Sequence, residues 1–183
     1  TNSVLAGALT AYKLGIPVAH LEAGLRSDDW TMPEEANRVL TDRLSRWLFC
    51  PTALQRDRLA REGITHDGVC VVGNTIVDAV LHYEHVARET SRILERLDLT
   101  ARPYALLTLH RPSNVDDAAR RDALLSAIAE AARRLGLAVV FPVHPRTRQR
   151  MRAEPPERYG FIATEPLGSI DLLRLQASAA LVL

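Results

Sequence analysis

Three short stretches concentrate side chains able to move protons or hold anions. The first, His20-Leu21-Glu22-Ala23-Gly24-Leu25-Arg26-Ser27, directly follows an apolar run. A carboxylate there sits at the carboxyl end of a strand, where doubly wound sheets gather reactive groups. Glu22 has two readings: an acid or base facing a ligand, or a structural carboxylate paired with Arg26. Gly24 permits a tight turn or a close backbone approach. The second stretch, Met32-Pro33-Glu34-Glu35-Ala36-Asn37-Arg38, holds two adjacent acids. Proline followed by acids is also an ordinary helix opening, because the amino end of a helix favours negative charge. The third runs from Thr108 to Asp117 and carries His110-Arg111 out of an apolar strand toward a helix. Cation, imidazole and free amide donors converge in such a place, which suits phosphate; a structural histidine is the other reading. His144, in Pro142-Val143-His144-Pro145-Arg146, is a weaker instance of the same pattern.

Alternating strands and helices are expected to position these residues. The pattern predicts a helix over 2–14, a strand at Ile16–Leu21 and a helix opening at about Glu34. It then predicts a strand at Trp47–Cys50, a helix from Pro51-Thr52 to about Glu62, and a strand at Val69–Val72. A long helix is expected over 75–97. The second half reads as a strand at Tyr104–Leu109, a helix at about 116–135 ended by Gly136, and a strand at Leu137–Val143. A short basic helix after Pro145, a strand near Phe161–Ala163, a helix at about 168–177 and a buried final strand at Ala179–Leu183 complete it. Strands alternating with helices of this length argue for a parallel arrangement, either one sheet of about seven strands or, the preferred reading, two sheets divided near Gly73-Asn74 or by the long helix.

Bulk properties narrow the function. Net charge is +1, hydrophobic residues are 47% and charged residues 25% of 183, so no electrostatic case exists for a nucleic-acid partner. No run reaches the roughly 20 apolar residues of a membrane span. Cys50 and Cys70 lie outside any C-x-x-C pattern and read as buried free thiols. Dinucleotide, Walker-A and zinc-ligand fingerprints are absent, so neither cofactor nor metal is expected. The chain opens inside a helical pattern without a signal-peptide profile and closes on a strand. A cytoplasmic protein, of which this is an internal stretch, is the expectation. From the residues alone the reading stops at an α/β protein handling an anionic, phosphorylated small ligand beside carboxylates.

Taken in order, the strings H-L-E-A-G-L-R-S (His20–Ser27), P-E-E-A-N-R (Pro33–Arg38), G-N-T-I-V-D-A (Gly73–Ala79), L-T-L-H-R-P-S-N-V-D (Leu107–Asp116), P-V-H-P-R-T (Pro142–Thr147) and P-L-G-S-I-D-L-L (Pro166–Leu173) cover the chain. Together they resemble the non-hydrolysing UDP-N-acetylglucosamine 2-epimerases. That resemblance implies two Rossmann-like domains of the glycosyltransferase-B type with substrate between them. Residues 1–73 would be the second half of the first domain and 74–183 the first half of the second, each incomplete. It implies UDP elimination to a 2-acetamidoglucal and re-addition with a proton on the opposite face, in a homodimer supplying N-acetylmannosamine units for cell-surface polysaccharide. Glu22, Glu34 and His110 carry over as catalytic residues, with an aspartate preceding Thr1 as a third carboxylate. Arg26, Arg111, Leu167 and Leu172 carry over with Glu22 and His110 as substrate-binding residues, the leucines beside the uracil. Glu35, Arg38 and His144 carry over to an activator site for a second UDP-N-acetylglucosamine. The chain by itself is expected to be inactive. Hydrolysing 2-epimerases and nucleotide-sugar glycosyltransferases of the same architecture are the alternatives.

Overall fold

A computed structural model describes residues 2–151 and 155–183. They divide into two compact units, Thr1–Asp78 and Ala79–Leu183. The first unit runs α1 (Asn2–Lys13), β1 (Ala19–Leu21), α2 (Pro33–Leu44), β2 (Trp47–Cys50), α3 (Ala53–Arg61) and β3 (Val69–Val71), then enters α4 (Thr75–Thr90). Its three strands form a parallel sheet in the order β1-β2-β3. Local chemistry sets the helix starts. Pro33 opens α2 with Glu34 and Glu35 in the first turn, and the Thr52 side chain accepts from Leu54 N at 3.1 Å to cap α3.

The second unit continues with α5 (Ile93–Arg96), β4 (Tyr104–Leu106), α6 (Pro112–Val115), α7 (Ala118–Leu135), β5 (Ala138–Pro142), α8 (Pro145–Arg150), a 3-10 turn (Pro156–Tyr159), β6 (Ile162–Thr164), α9 (Ser169–Ser178) and β7 (Leu181–Val182). Its four strands are parallel in the order β6-β5-β4-β7. Period-two alternation along β5 builds two cores. Val139, Phe141 and Val143 join Leu107, Leu125 and Phe161 in one. Ala138 and Val140 join Tyr104, Leu106, Ile93 and Leu175 in the other. Burying each large apolar side chain contributes about 1.5–3 kcal/mol, so the two layers dominate the unit's stability. Asp117 caps α7 by accepting from Arg120 N at 3.0 Å. Gly136 ends it at φ 67°, a left-handed position that glycine adopts without strain.

The parallel α/β architecture in two sheets is as expected, and the differences are local. The helix expected over 75–97 breaks after Thr90. Ser91 Oγ donates to Asp171 Oδ1 at 2.6 Å and accepts from Ile93 N at 3.3 Å, so a side chain replaces the helical backbone bond. Short α6 forms before α7, where one helix from 116 was expected. β1 begins at Ala19, not Ile16. β4 ends at Leu106, although Leu107 N and Thr108 N still bond to Val140 O and Leu183 O at 2.8 and 2.9 Å. Cys50 is buried as expected, but Cys70 is exposed. The final strand, expected to be buried, lies at the sheet edge with Leu181–Leu183 half exposed.

Candidate functional site

Glu22 follows β1 at φ 63°, in the left-handed region that a residue with a Cβ seldom occupies. Ala23 N then donates to Phe49 O at 3.1 Å, returning the chain to the sheet. The kink leaves Glu22 exposed on a cavity of about 450 Å³, whose walls include Val4, His20, Leu25, Asn37 and Arg38. Gly24 is required behind it: a Cβ there would meet Gln55 O at 2.6 Å, and its φ is 78°.

Buried charge holds this loop. Asp42, with a fully buried side chain, receives His20 Nδ1 at 2.6 Å, Gly24 N at 3.2 Å and Arg26 Nη1 at 2.8 Å. Arg26 also donates to both Glu62 oxygens, at 3.0 and 2.7 Å. The Glu22–Arg26 pairing considered from the sequence is therefore replaced by an Asp42–Arg26–Glu62 group, in which the Asp42 and Arg26 side chains are buried and Glu62 is partly exposed. Burial opposes the Arg26 charge, but the bonds to Glu62 and Asp42 outweigh it and hold its pKa above the ordinary value. Glu35, 2% exposed, accepts from Ser27 N and Oγ at 2.9 Å each, Asp28 N at 3.1 Å and Arg38 Nη1 at 3.2 Å. Burial raises its pKa, yet these four donors prevail and bring it down to about 2. Glu34, one residue earlier, is exposed on the first turn of α2 and is not among the walls of the Glu22 cavity.

In the second unit, strand order reverses at β4, since β5 and β6 lie to one side and β7 to the other. Ligands of open α/β sheets bind at the carboxyl ends of strands flanking such a switch point. Exposed His110 and Arg111 leave β4 there. Thr147 Oγ1, fully buried, donates to Leu109 O at 2.9 Å and ties α8 to that loop. His144 caps α8 by accepting from Arg146 N at 3.2 Å, and Asp116 receives Arg146 at 2.7 Å and Arg150 at 3.3 Å. His110, Arg111 and His144 thus occupy neighbouring strand ends. Leu167 and Leu172 pack against the core containing Leu175. A larger cleft of about 540 Å³, lined by Arg102, Glu130 and Arg133 among others, lies beside the amino end of β5, away from these loops. Among the described residues no cluster of His, Cys, Asp or Glu is placed to hold a metal ion.

The sequence alone singles out neither Asp42 nor Glu62, and His20 stands out only within the H-L-E-A-G-L-R-S string. A signal for Asp42 was present. Asn37, Thr41 and Asp42 occupy one side of α2, where an apolar stripe would ordinarily pack. They are buried, while Leu40 is 48% exposed.

Comparison with known proteins agrees with the quoted strings. The family model described as UDP-N-acetylglucosamine 2-epimerase matches residues 1–183. A UDP-N-acetylglucosamine 2-epimerase of Methanocaldococcus jannaschii is 43% identical over the whole chain, which covers 52% of that relative. Its crystal structure in complex with UDP-GlcNAc and UDP matches with a TM-score of 0.88, again over 100% of this chain and 52% of that one. A UDP-2,3-diacetamido-2,3-dideoxy-D-glucuronate 2-epimerase of Pseudomonas aeruginosa is 41% identical over the whole chain and 50% of its own length. The chain thus spans about half the length of these relatives. With a family model matched from end to end, the chain belongs to the UDP-N-acetylglucosamine 2-epimerase family.

Proposed function

We propose that the full-length protein interconverts UDP-N-acetylglucosamine and UDP-N-acetylmannosamine without hydrolysis, and that residues 1–183 alone are inactive. In this reading it is a cytoplasmic homodimer supplying N-acetylmannosamine units for cell-surface polysaccharide. Residues 1–73 and 74–183 belong to the first and second Rossmann-like domains. The observation that carries the reading is Glu22, a carboxylate held in a strained conformation at a strand's carboxyl end and facing a polar cavity. Strain of about 1–3 kcal/mol at such a residue persists only where the surroundings impose it, and it gathers at functional sites.

The chemistry wants these groups. The C2 hydrogen of the sugar has little acidity, so its removal must be coupled to loss of UDP from C1. Breaking C2–H sends the proton to a carboxylate and the electron pair into a C1=C2 bond, while the C1–O pair leaves with the diphosphate. Return of UDP takes a proton onto the other face of C2. Glu22 and Glu34 supply the proton-transfer carboxylates. His110 and Arg111, at the β4 end of the switch point, stabilise charge on the departing phosphate. Arg26 acts from behind the loop through Asp42, and Leu167 and Leu172 flank the base. Glu35, Arg38 and His144 border the activator position.

Glu22→Gln in the full-length protein should lower kcat by about 100-fold or more, the usual scale for a positioned acid or base, with melting unchanged. Near-normal turnover with early melting would make Glu22 structural. The Pseudomonas relative raises a second substrate, since its sugar differs at C3 and C6 while the C2 reaction is shared. Assaying both nucleotide sugars decides between them, and appearance of free N-acetylmannosamine would indicate hydrolysis.

A further inference from the structure

The Asp42–His20 bond is added to a carboxylate that already holds the loop through Gly24 N and Arg26. A helix packed on a strand is ordinarily joined by apolar side chains, and burying an ionic pair there costs desolvation. Here the carboxylate is completely buried and the imidazole is 14% exposed. At 2.6 Å Nδ1 and Asp42 Oδ1 are hydrogen-bonded, and a carboxylate that already accepts from Gly24 N and Arg26 takes Nδ1 as a further donor. Donation from Nδ1 to that carboxylate leaves Nε2 as the ring nitrogen open to a new partner. His20 is one of the residues lining the Glu22 cavity, two residues before Glu22 on the chain. A buried carboxylate behind a histidine that borders a polar cavity is the arrangement that stabilises an imidazolium once it accepts a proton. Charged groups surround it on several sides: Asp42 and Arg38 from α2, Arg26 from the loop, and Glu22 beyond the strand. From α1 the cavity receives apolar Val4.

We infer that His20, oriented by Asp42, is the proton outlet of Glu22. The inference rests on the reading of Glu22 as the group that takes the sugar's C2 proton. Once that proton is on Glu22, the O–H bond breaks toward His20 Nε2 and the carboxylate is regenerated. The resulting imidazolium is countered by Asp42. It releases the proton to water entering the cavity, and the neutral ring returns with Nδ1 still bonded to Asp42. No electron changes hands and no co-reactant is needed. His20 acts through Glu22 and is a positioning residue, not one that touches the sugar.

Two variants of the full-length protein test this. His20→Gln keeps an amide able to donate to Asp42 but carries no transferable proton. It should melt as the parent does, hold KM and lose kcat by about 100-fold, the lower range for loss of a proton-transfer group. His20→Ala should lose turnover similarly and regain it when free imidazole is added, because the vacated space opens onto the cavity. A His20→Gln rate within about threefold of the parent, well short of a proton-transfer loss, overturns the inference. So does a His20→Ala whose lost rate imidazole leaves unrestored. Glu22→Gln measured alongside separates the two failures. If it is inactive while His20→Gln is normal, the outlet is wrong and the site reading stands. If Glu22→Gln is itself normal, the site reading has failed.

Discussion

Glu35→Gln should loosen the 27–28 turn by an amount that depends on pH in a way no apolar substitution could mimic. The carboxyl is held at about 2 against an ordinary 4.5, by four donors that outweigh its burial. A tenfold change in proton affinity is worth about 1.4 kcal/mol, so the ionised group contributes on the order of 3 kcal/mol near neutrality. Because the folded pKa is depressed, this contribution is complete above 4.5 and lost as pH falls through about 2. Glutamine keeps one acceptor oxygen and turns an amide donor toward Ser27 or Arg38, so it recovers only part of the loss. Urea unfolding of the full-length protein and the variant, compared at pH 7 and pH 3, reads the effect as a difference. A gap of about 2–3 kcal/mol at pH 7 should shrink to less than half that at pH 3. A gap of equal size at both pH values, or none at pH 7, would refute the account of what holds the loop.

Two further substitutions probe the loop and the second unit. Gly24→Ala places a methyl group 2.6 Å from Gln55 O at a left-handed backbone position. It should destabilise by about 1–3 kcal/mol and lower turnover with it, read by melting temperature and rate together. His110→Ala should slow C1–O cleavage by about 100-fold or more, because the departing phosphate loses a donor; a melting shift without loss of rate would leave the residue as a turn cap only.

Architecture was legible where periodicity was strong. Trp47–Cys50 emerges as the strand that was read, and Gly136 ends α7 as expected, because an apolar run and a left-handed cap are local signals. The break at Ser91 was not legible, since its cause is Asp171, far along the chain. Glu22 was visible as a carboxylate after a strand, but its left-handed backbone depends on the return of Ala23 to Phe49 and on Gln55 packed against Gly24. Asp42 was hidden for a related reason. Its three partners lie 16 to 22 residues earlier, so only the polar side of α2 pointed to it.

The most direct test of the proposed chemistry is to run the full-length protein on UDP-N-acetylglucosamine in heavy water and locate deuterium in the product. Elimination and re-addition of UDP through carboxylates predicts UDP-N-acetylmannosamine carrying solvent deuterium at C2, with traces of 2-acetamidoglucal and free UDP. Epimerised product retaining its original C2 hydrogen would contradict it.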